Sequence, residues 1–122
     1  MVTLLVVDDD PDVLELTVTL LSEGGYRVLS APSGGAALAL LEREAVDLVV
    51  TDVVMPGMTG FELVERARQR RPDLPVIYMS AYFDAMPDGR AIRNDVFLAK
   101  PWKPRDLLRA VATTAGDDAP LG

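Results

Sequence analysis

The chain has 122 residues, 49% hydrophobic and 25% charged, with a formal net charge of −7; this fits one domain with its own core and speaks against a nucleic-acid surface, which needs a basic stripe. It has no cysteine and no histidine, which excludes disulfides, thiolate metal sites and imidazole chemistry, so any chemistry must rest on carboxylates, hydroxyls, Lys and Arg. No apolar run approaches the roughly 18 residues of a membrane helix, and the N-terminus lacks the basic segment and cleavage pattern of a signal peptide, so a cytoplasmic location is expected.

Residues 3–7, TLLVV, form a continuous β-rich apolar run and predict a buried strand. Three acids follow: Asp8, Asp9 and Asp10. Asp10 and Pro11 match an N-cap with proline at the first helical position. Val13, Leu14, Leu16, Thr17, Leu20 and Leu21 then supply the apolar stripe of a helix that Gly24 and Gly25 stop. YRVLSA, residues 26–31, alternates as a second strand. Ser33 caps a helix to about Glu44, with Ala37, Leu38, Leu40 and Leu41 turned inward. DLVVTD, 47–52, is a third buried strand, and VVMPGMTG, 53–60, is a loop. The next helix runs to about Arg71 and is ended by Pro72; its Arg66, Arg68, Arg70 and Arg71 read as a solvated face. PVIYMS, 75–80, is strand four. Residues 83–95 are polar and hold at most a short helix. VFLA, 96–99, is strand five, and Pro104 opens a last helix to about Thr114. The domain is expected over 1–115, with 116–122 a flexible tail or linker.

Five β-α repeats with short connections predict an α/β fold: a doubly wound, five-stranded parallel sheet with helices on both faces and right-handed crossovers. Ligands of such sheets bind beyond the carboxyl ends of the strands. Asp8 and Asp9, Asp52, Ser80 and Lys100 stand at those ends. With strand one beside strand three, three carboxylates meet, and their repulsion asks for a divalent cation. All-oxygen ligation suits Mg²⁺, and a hydroxyl and an ammonium nearby complete a site for a transferring phosphoryl group. Taken singly, the first acids read as a helix N-terminus, Asp52 as a loop residue, Ser80 as a turn hydroxyl, Lys100 as a surface cation and Phe97 as core. The joint placement of the acids, Ser80 and Lys100 at strand ends outweighs those readings. A calcium loop starting at Asp8 is excluded, because Val13 and Thr19 stand where it needs Gly and Glu. No G-x-G-x-x-G follows strand one, which argues against a dinucleotide site.

LLVVDDDP, DLVVTDVVMPGMTG, PVIYMSA and VFLAKPW occur in that order. In these four pieces the chain resembles the receiver domain of two-component response regulators, over essentially residues 1–115. The resemblance implies a flavodoxin-like strand order 2-1-3-4-5. It implies that Asp52 is the nucleophile and accepts a phosphoryl group from the phosphohistidine of a histidine kinase or histidine phosphotransfer domain, becoming 4-aspartylphosphate. Asp8, Asp9, Asp52 and the backbone carbonyl of Val54 would ligate Mg²⁺. Ser80 would hydrogen-bond a phosphoryl oxygen, and Lys100 would pair with Asp52 or its phosphate, across a cis Lys100–Pro101 bond.

The new charge, about −1.5 to −2, would move Ser80 and the aromatic switch Phe97. The readout face would be helix four, strand five and helix five, including Trp102 and Lys103. An output domain or protein would dock there, and receivers also pair as homodimers through it. The chain would not be an enzyme beyond its own phosphoryl transfer and slow autodephosphorylation. Apolar Val54 and bulky Tyr82 beside the site would lengthen the life of the phosphorylated form. VVMPGMTG and FLAKPW lean toward the receivers that end hybrid sensor kinases. The competing reading is a Mg²⁺-dependent phosphatase with an aspartyl nucleophile. The haloacid-dehalogenase pattern fits poorly, since Pro11 follows Asp10 directly. A receiver-like scaffold that takes no phosphate is the third reading.

Overall fold

Short β-branched and apolar runs pair side by side because each can satisfy its backbone only in a ladder and its side chains only between two layers. The computed structural model describes residues 1–81 and 95–116. In chain order they form β1 (Thr3–Val7), α1 (Pro11–Glu23), β2 (Arg27–Ala31), α2 (Gly34–Arg43), β3 (Leu48–Asp52), α3 (Gly60–Arg68), β4 (Val76–Ser80), β5 (Val96–Ala99) and α4 (Pro104–Thr114). The strands make one parallel sheet in the order β2-β1-β3-β4-β5, the order expected.

The three central strands, β1, β3 and β4, are buried along their whole length, whereas the edge strands β2 and β5 are partly exposed. Side-chain alternation splits the core in two. Leu5, Val7, Val49, Val76 and Tyr78 point to one face and meet Ala37 of α2 and Leu63 and Val64 of α3. Leu4, Val6, Val50, Ile77 and Met79 point to the other and meet Leu21 of α1 and Leu107 and Val111 of α4. Leu63 and Leu107 are fully buried, and each such burial contributes roughly 2 kcal/mol.

The helix starts follow local chemistry. Asp10 Oδ1 accepts from the amides of Asp12 at 2.9 Å and Val13 at 3.4 Å, with Pro11 at the first helical position. Ser33 Oγ accepts from Ala36 N at 3.2 Å. Thr59 and Glu62 form a reciprocal capping box, both bonds 3.1 Å.

Two expectations need correction. α3 ends at Arg68, not about Arg71: Gln69 N and Arg70 N donate three residues back, to Arg66 O and Ala67 O, each at 3.2 Å, and this tightens the chain out of the helix. The four arginines are also not one solvated face. Arg66, Arg70 and Arg71 are exposed, but Arg68 turns inward. Its two terminal nitrogens donate to Asp95 Oδ2 and Oδ1 at 2.8 Å each, and its Nε and Nη2 donate to Leu74 O at 3.2 and 2.8 Å. The described residues hold four helices. The short helix considered within 83–95 falls outside them except for Asp95, as do Tyr82 and the tail from residue 117. α4 is therefore the last helix of the sequence reading, and no described helix is long and apolar enough to cross a membrane.

Candidate functional site

In a parallel sheet every strand ends on the same edge, so residues that follow the last apolar position of each strand collect there. The register aligns Val7 with Thr51, Asp52 with Met79, and Ser80 with Ala99. Asp8 and Asp9 leave β1, Asp52 and Ser80 close β3 and β4, and Lys100 leaves β5. A cleft of about 390 Å³ opens among Asp8, Asp9, Asp10, Asp52, Val54, Ala81 and Lys100.

Carboxylate oxygens of Asp8, Asp9 and Asp52 lie within 4.8 Å of one another. Asp8 has no exposed surface and Asp52 is 8% exposed, whereas Asp9 faces solvent. Asp8 is held from two sides: Oδ1 accepts from Asp10 N at 3.0 Å, and Oδ2 accepts from Lys100 Nζ at 2.9 Å. The same ammonium stands 3.4 Å from Asp52 Oδ1. The Lys100–Pro101 bond is cis, and the Lys100 amide donates to Ser80 O at 2.9 Å. Asp10 caps α1 instead of joining the cluster.

The electrostatics follow from this crowding. Burial raises the Asp52 carboxyl above its ordinary value; Lys100 opposes that, Asp8 adds to it, and the net direction is upward. Burial works against the Lys100 ammonium, but its hydrogen bond to Asp8 and the charges of Asp52 and Asp8 outweigh it, so Lys100 is raised and stays protonated. Among the described residues, one ammonium thus faces three carboxylates. The uncompensated charge and the hard, all-oxygen donor set fit a divalent cation such as Mg²⁺. Asp8, Asp9 and Asp52 form an acidic cluster able to hold a metal.

Val54 lies half-exposed on the rim, and Ser80 is buried at the end of β4. Phe97 lies one layer down, on the α3 side of the sheet. Its ring stacks on Tyr78 at 5.0 Å between centroids, and Tyr78 meets Phe61 of α3 at 4.9 Å. Trp102 packs with the other core, under α1 and α4.

Sequence reasoning passed over two neighbours of Asp52. Thr51 Oγ1 donates to the Asp52 carbonyl at 2.9 Å, and Gly60 brings its bare Cα against the same peptide. The signal for Gly60 was a glycine, a poor helix former, directly after the Thr59 cap. Thr51, in a run of β-branched residues, gave none.

Residues 4–112 match the response regulator receiver domain family, and the chain belongs to that family. It is 44% identical over 113 residues to an uncharacterized 14.6 kDa protein of Leptolyngbya boryana, covering 88% of this chain and 86% of that one. It is 38% identical over 120 residues to the transcriptional regulatory protein GlrR of Escherichia coli, covering 96% of this chain but only 27% of GlrR. Among solved structures, the response regulator TrrA of Thermotoga maritima, in complex with Mg²⁺-BeF, superposes with a TM-score of 0.85 at 32% identity, over 93% of this chain and 99% of that one.

Proposed function

We propose that Asp52 accepts a phosphoryl group from the phosphohistidine of a histidine kinase or histidine phosphotransfer domain, and that the modified domain changes conformation to control an output partner. The observation that carries this is the meeting of the Asp52 carboxylate with Asp8, Asp9 and Lys100 at one end of the sheet. Asp8, Asp9, Asp52 and the Val54 carbonyl would hold Mg²⁺, the ion named with TrrA. Bound there, the cation would supply positive charge that offsets the carboxylates and the charge of the transferring phosphoryl group.

An Asp52 carboxylate oxygen forms the new O–P bond while the donor's N–P bond breaks. The imidazole leaves with that electron pair and takes a proton from solvent. Such a loose transition state needs position and charge more than acid-base groups, which suits a chain without histidine. Lys100 supplies fixed positive charge beside Asp52, held there by its bond to Asp8. Ser80 donates its hydroxyl to a phosphoryl oxygen after transfer. That pull on the end of β4 passes to Phe97 on β5, which is paired in register with Tyr78. The output partner then reads the face built from β5 and α4.

Intact-mass spectrometry with Mg²⁺ and acetyl phosphate tests this. The expected result is one phosphoryl group on the wild type and none on Asp52→Ala. Labelling that survives in Asp52→Ala sinks the assignment, and steady turnover of phosphomonoesters would mark a phosphatase instead.

A further inference from the structure

Asp52 sits in a peptide constrained from several directions. Its nitrogen side belongs to β3. Its carbonyl accepts from Thr51 Oγ1 at 2.9 Å. Val53 N donates to Met79 O at 3.0 Å, and Val53 O accepts from Gly60 N at 2.8 Å. The loop that leaves Asp52 with Val54 therefore returns on Gly60, the first residue of α3. A Cβ at Gly60 would lie 2.3 Å from Asp52 O, 3.1 Å from Val53 Cα and 3.2 Å from Asp52 C. Every one of these atoms is backbone. At Gly24 and Gly34 a Cβ would also be crowded, but there the nearest atoms belong to the side chains of Leu108 and Met58, which can swing away. At Gly60 nothing can yield unless α3 backs off or the Asp52 peptide turns.

Resting on the phosphoacceptor reading of Asp52, we propose that Gly60, together with Thr51, is a positioning residue for phosphoryl transfer. The missing side chain at residue 60 lets α3 close onto the Asp52 peptide, and the Thr51 hydroxyl pins that peptide's carbonyl. Together they fix the direction of the Asp52 carboxylate and the start of the Val54 loop. Misplacing a reacting atom by about 1 Å can cost on the order of a hundredfold in rate, so a single methyl here reaches the chemistry without touching phosphate or metal.

The test compares wild type, Gly60→Ala, Thr51→Val and Gly35→Ala. Gly35 is a fair control, because a Cβ there meets nothing within 4 Å. Each protein is first shown by thermal unfolding to be folded at the assay temperature. The rate of phosphorylation by acetyl phosphate is then measured at saturating Mg²⁺, alongside the half-saturating Mg²⁺ concentration. Gly60→Ala should lose about 10- to 100-fold in the saturated rate and Thr51→Val about threefold, with Gly35→Ala unchanged. A merely structural role would lower thermal stability and leave the saturated rate of the folded protein alone. A folded Gly60→Ala with wild-type rate, or an equal loss in Gly35→Ala, overturns the inference. If Gly60→Ala does not fold, Thr51→Val decides, and a wild-type rate there overturns it. A wild type that takes no phosphate overturns the reading of Asp52, and this inference with it.

Discussion

The two ends of the sheet treat charge in opposite ways. Where the strands end, Asp8, Asp9 and Asp52 crowd together against one ammonium. At the other end, Arg68 and Asp95 form a fork-to-fork pair at 2.8 Å on both arms, with side chains 14% and 8% exposed. Arg68 also holds Leu74 O, so one guanidinium ties α3 to the loop before β4 and to the start of β5. The first arrangement leaves charge unmatched and is useful only with something else bound. The second is complete in itself. Stability is stored at one end of the strands and spent at the other.

The largest effect should come from breaking the complete end. Arg68→Ala leaves Asp95 buried without its partner and strips Leu74 O of two donors; it should cost about 3 kcal/mol in chemical denaturation. Neutralising both partners, as Arg68→Met with Asp95→Asn, should recover much of that, because no lone charge stays buried. A loss under about 1 kcal/mol in the single variant would put the clamp among ordinary surface pairs.

The crowded end should respond with the opposite sign. Asp52→Asn removes one of three like charges and leaves Lys100 its 2.9 Å bond to Asp8. In Mg²⁺-free buffer with EDTA it should raise stability by about 1 kcal/mol, a rise in Tm of a few degrees. Mg²⁺ should stabilise the wild type, by about 2.7 kcal/mol at a hundred times its Kd, and stabilise Asp52→Asn much less. An Asp52→Asn protein that melts below wild type in EDTA would mean that the carboxylate is a net structural asset, and the contrast between the ends would fail.

How far each end could be read from sequence follows from the range of the interactions. The crowded end was legible because its members close an apolar run or follow it within two residues: Asp8 and Asp9 after TLLVV, Asp52 closing DLVVTD, Lys100 after VFLA. Strand order then brings them together with no further information. Two helix starts were equally plain, since Asp10 and Ser33 act within three residues of themselves; the Thr59 cap was not, because residues 53–60 read as one loop. The complete end was not legible. Arg68 finds its partner 27 residues away, and nothing in the spacing of ERARQRR, residues 65–71, separates the inward arginine from its neighbours. Pro72 suggested the helix stop, but the three-residue bonds after Arg66 set it earlier. Gly60 escaped because it allows a close backbone approach, and Thr51 because its hydroxyl bonds the next residue's carbonyl; patterns of apolar and polar residues record neither. Tyr78 looked like one more strand residue, yet it carries the ring stack under Phe97.

The smallest expected effect separates stability from both ends. Gly35 is exposed in the first turn of α2, its φ is not in the left-handed region, and a Cβ there has open space. Alanine at this position restricts the unfolded chain and favours the helix, so Gly35→Ala should gain about 0.5 kcal/mol. The residue touches neither the acidic cluster nor the Arg68 clamp, so the gain should add to Arg68→Ala and to Asp52→Asn within a few tenths of a kcal/mol. Double variants measured by denaturant titration check this. Non-additivity with Asp52→Asn alone would mean that α2 senses the charge at the strand ends, and the sheet's two ends would then no longer be separable from the helices that cover them.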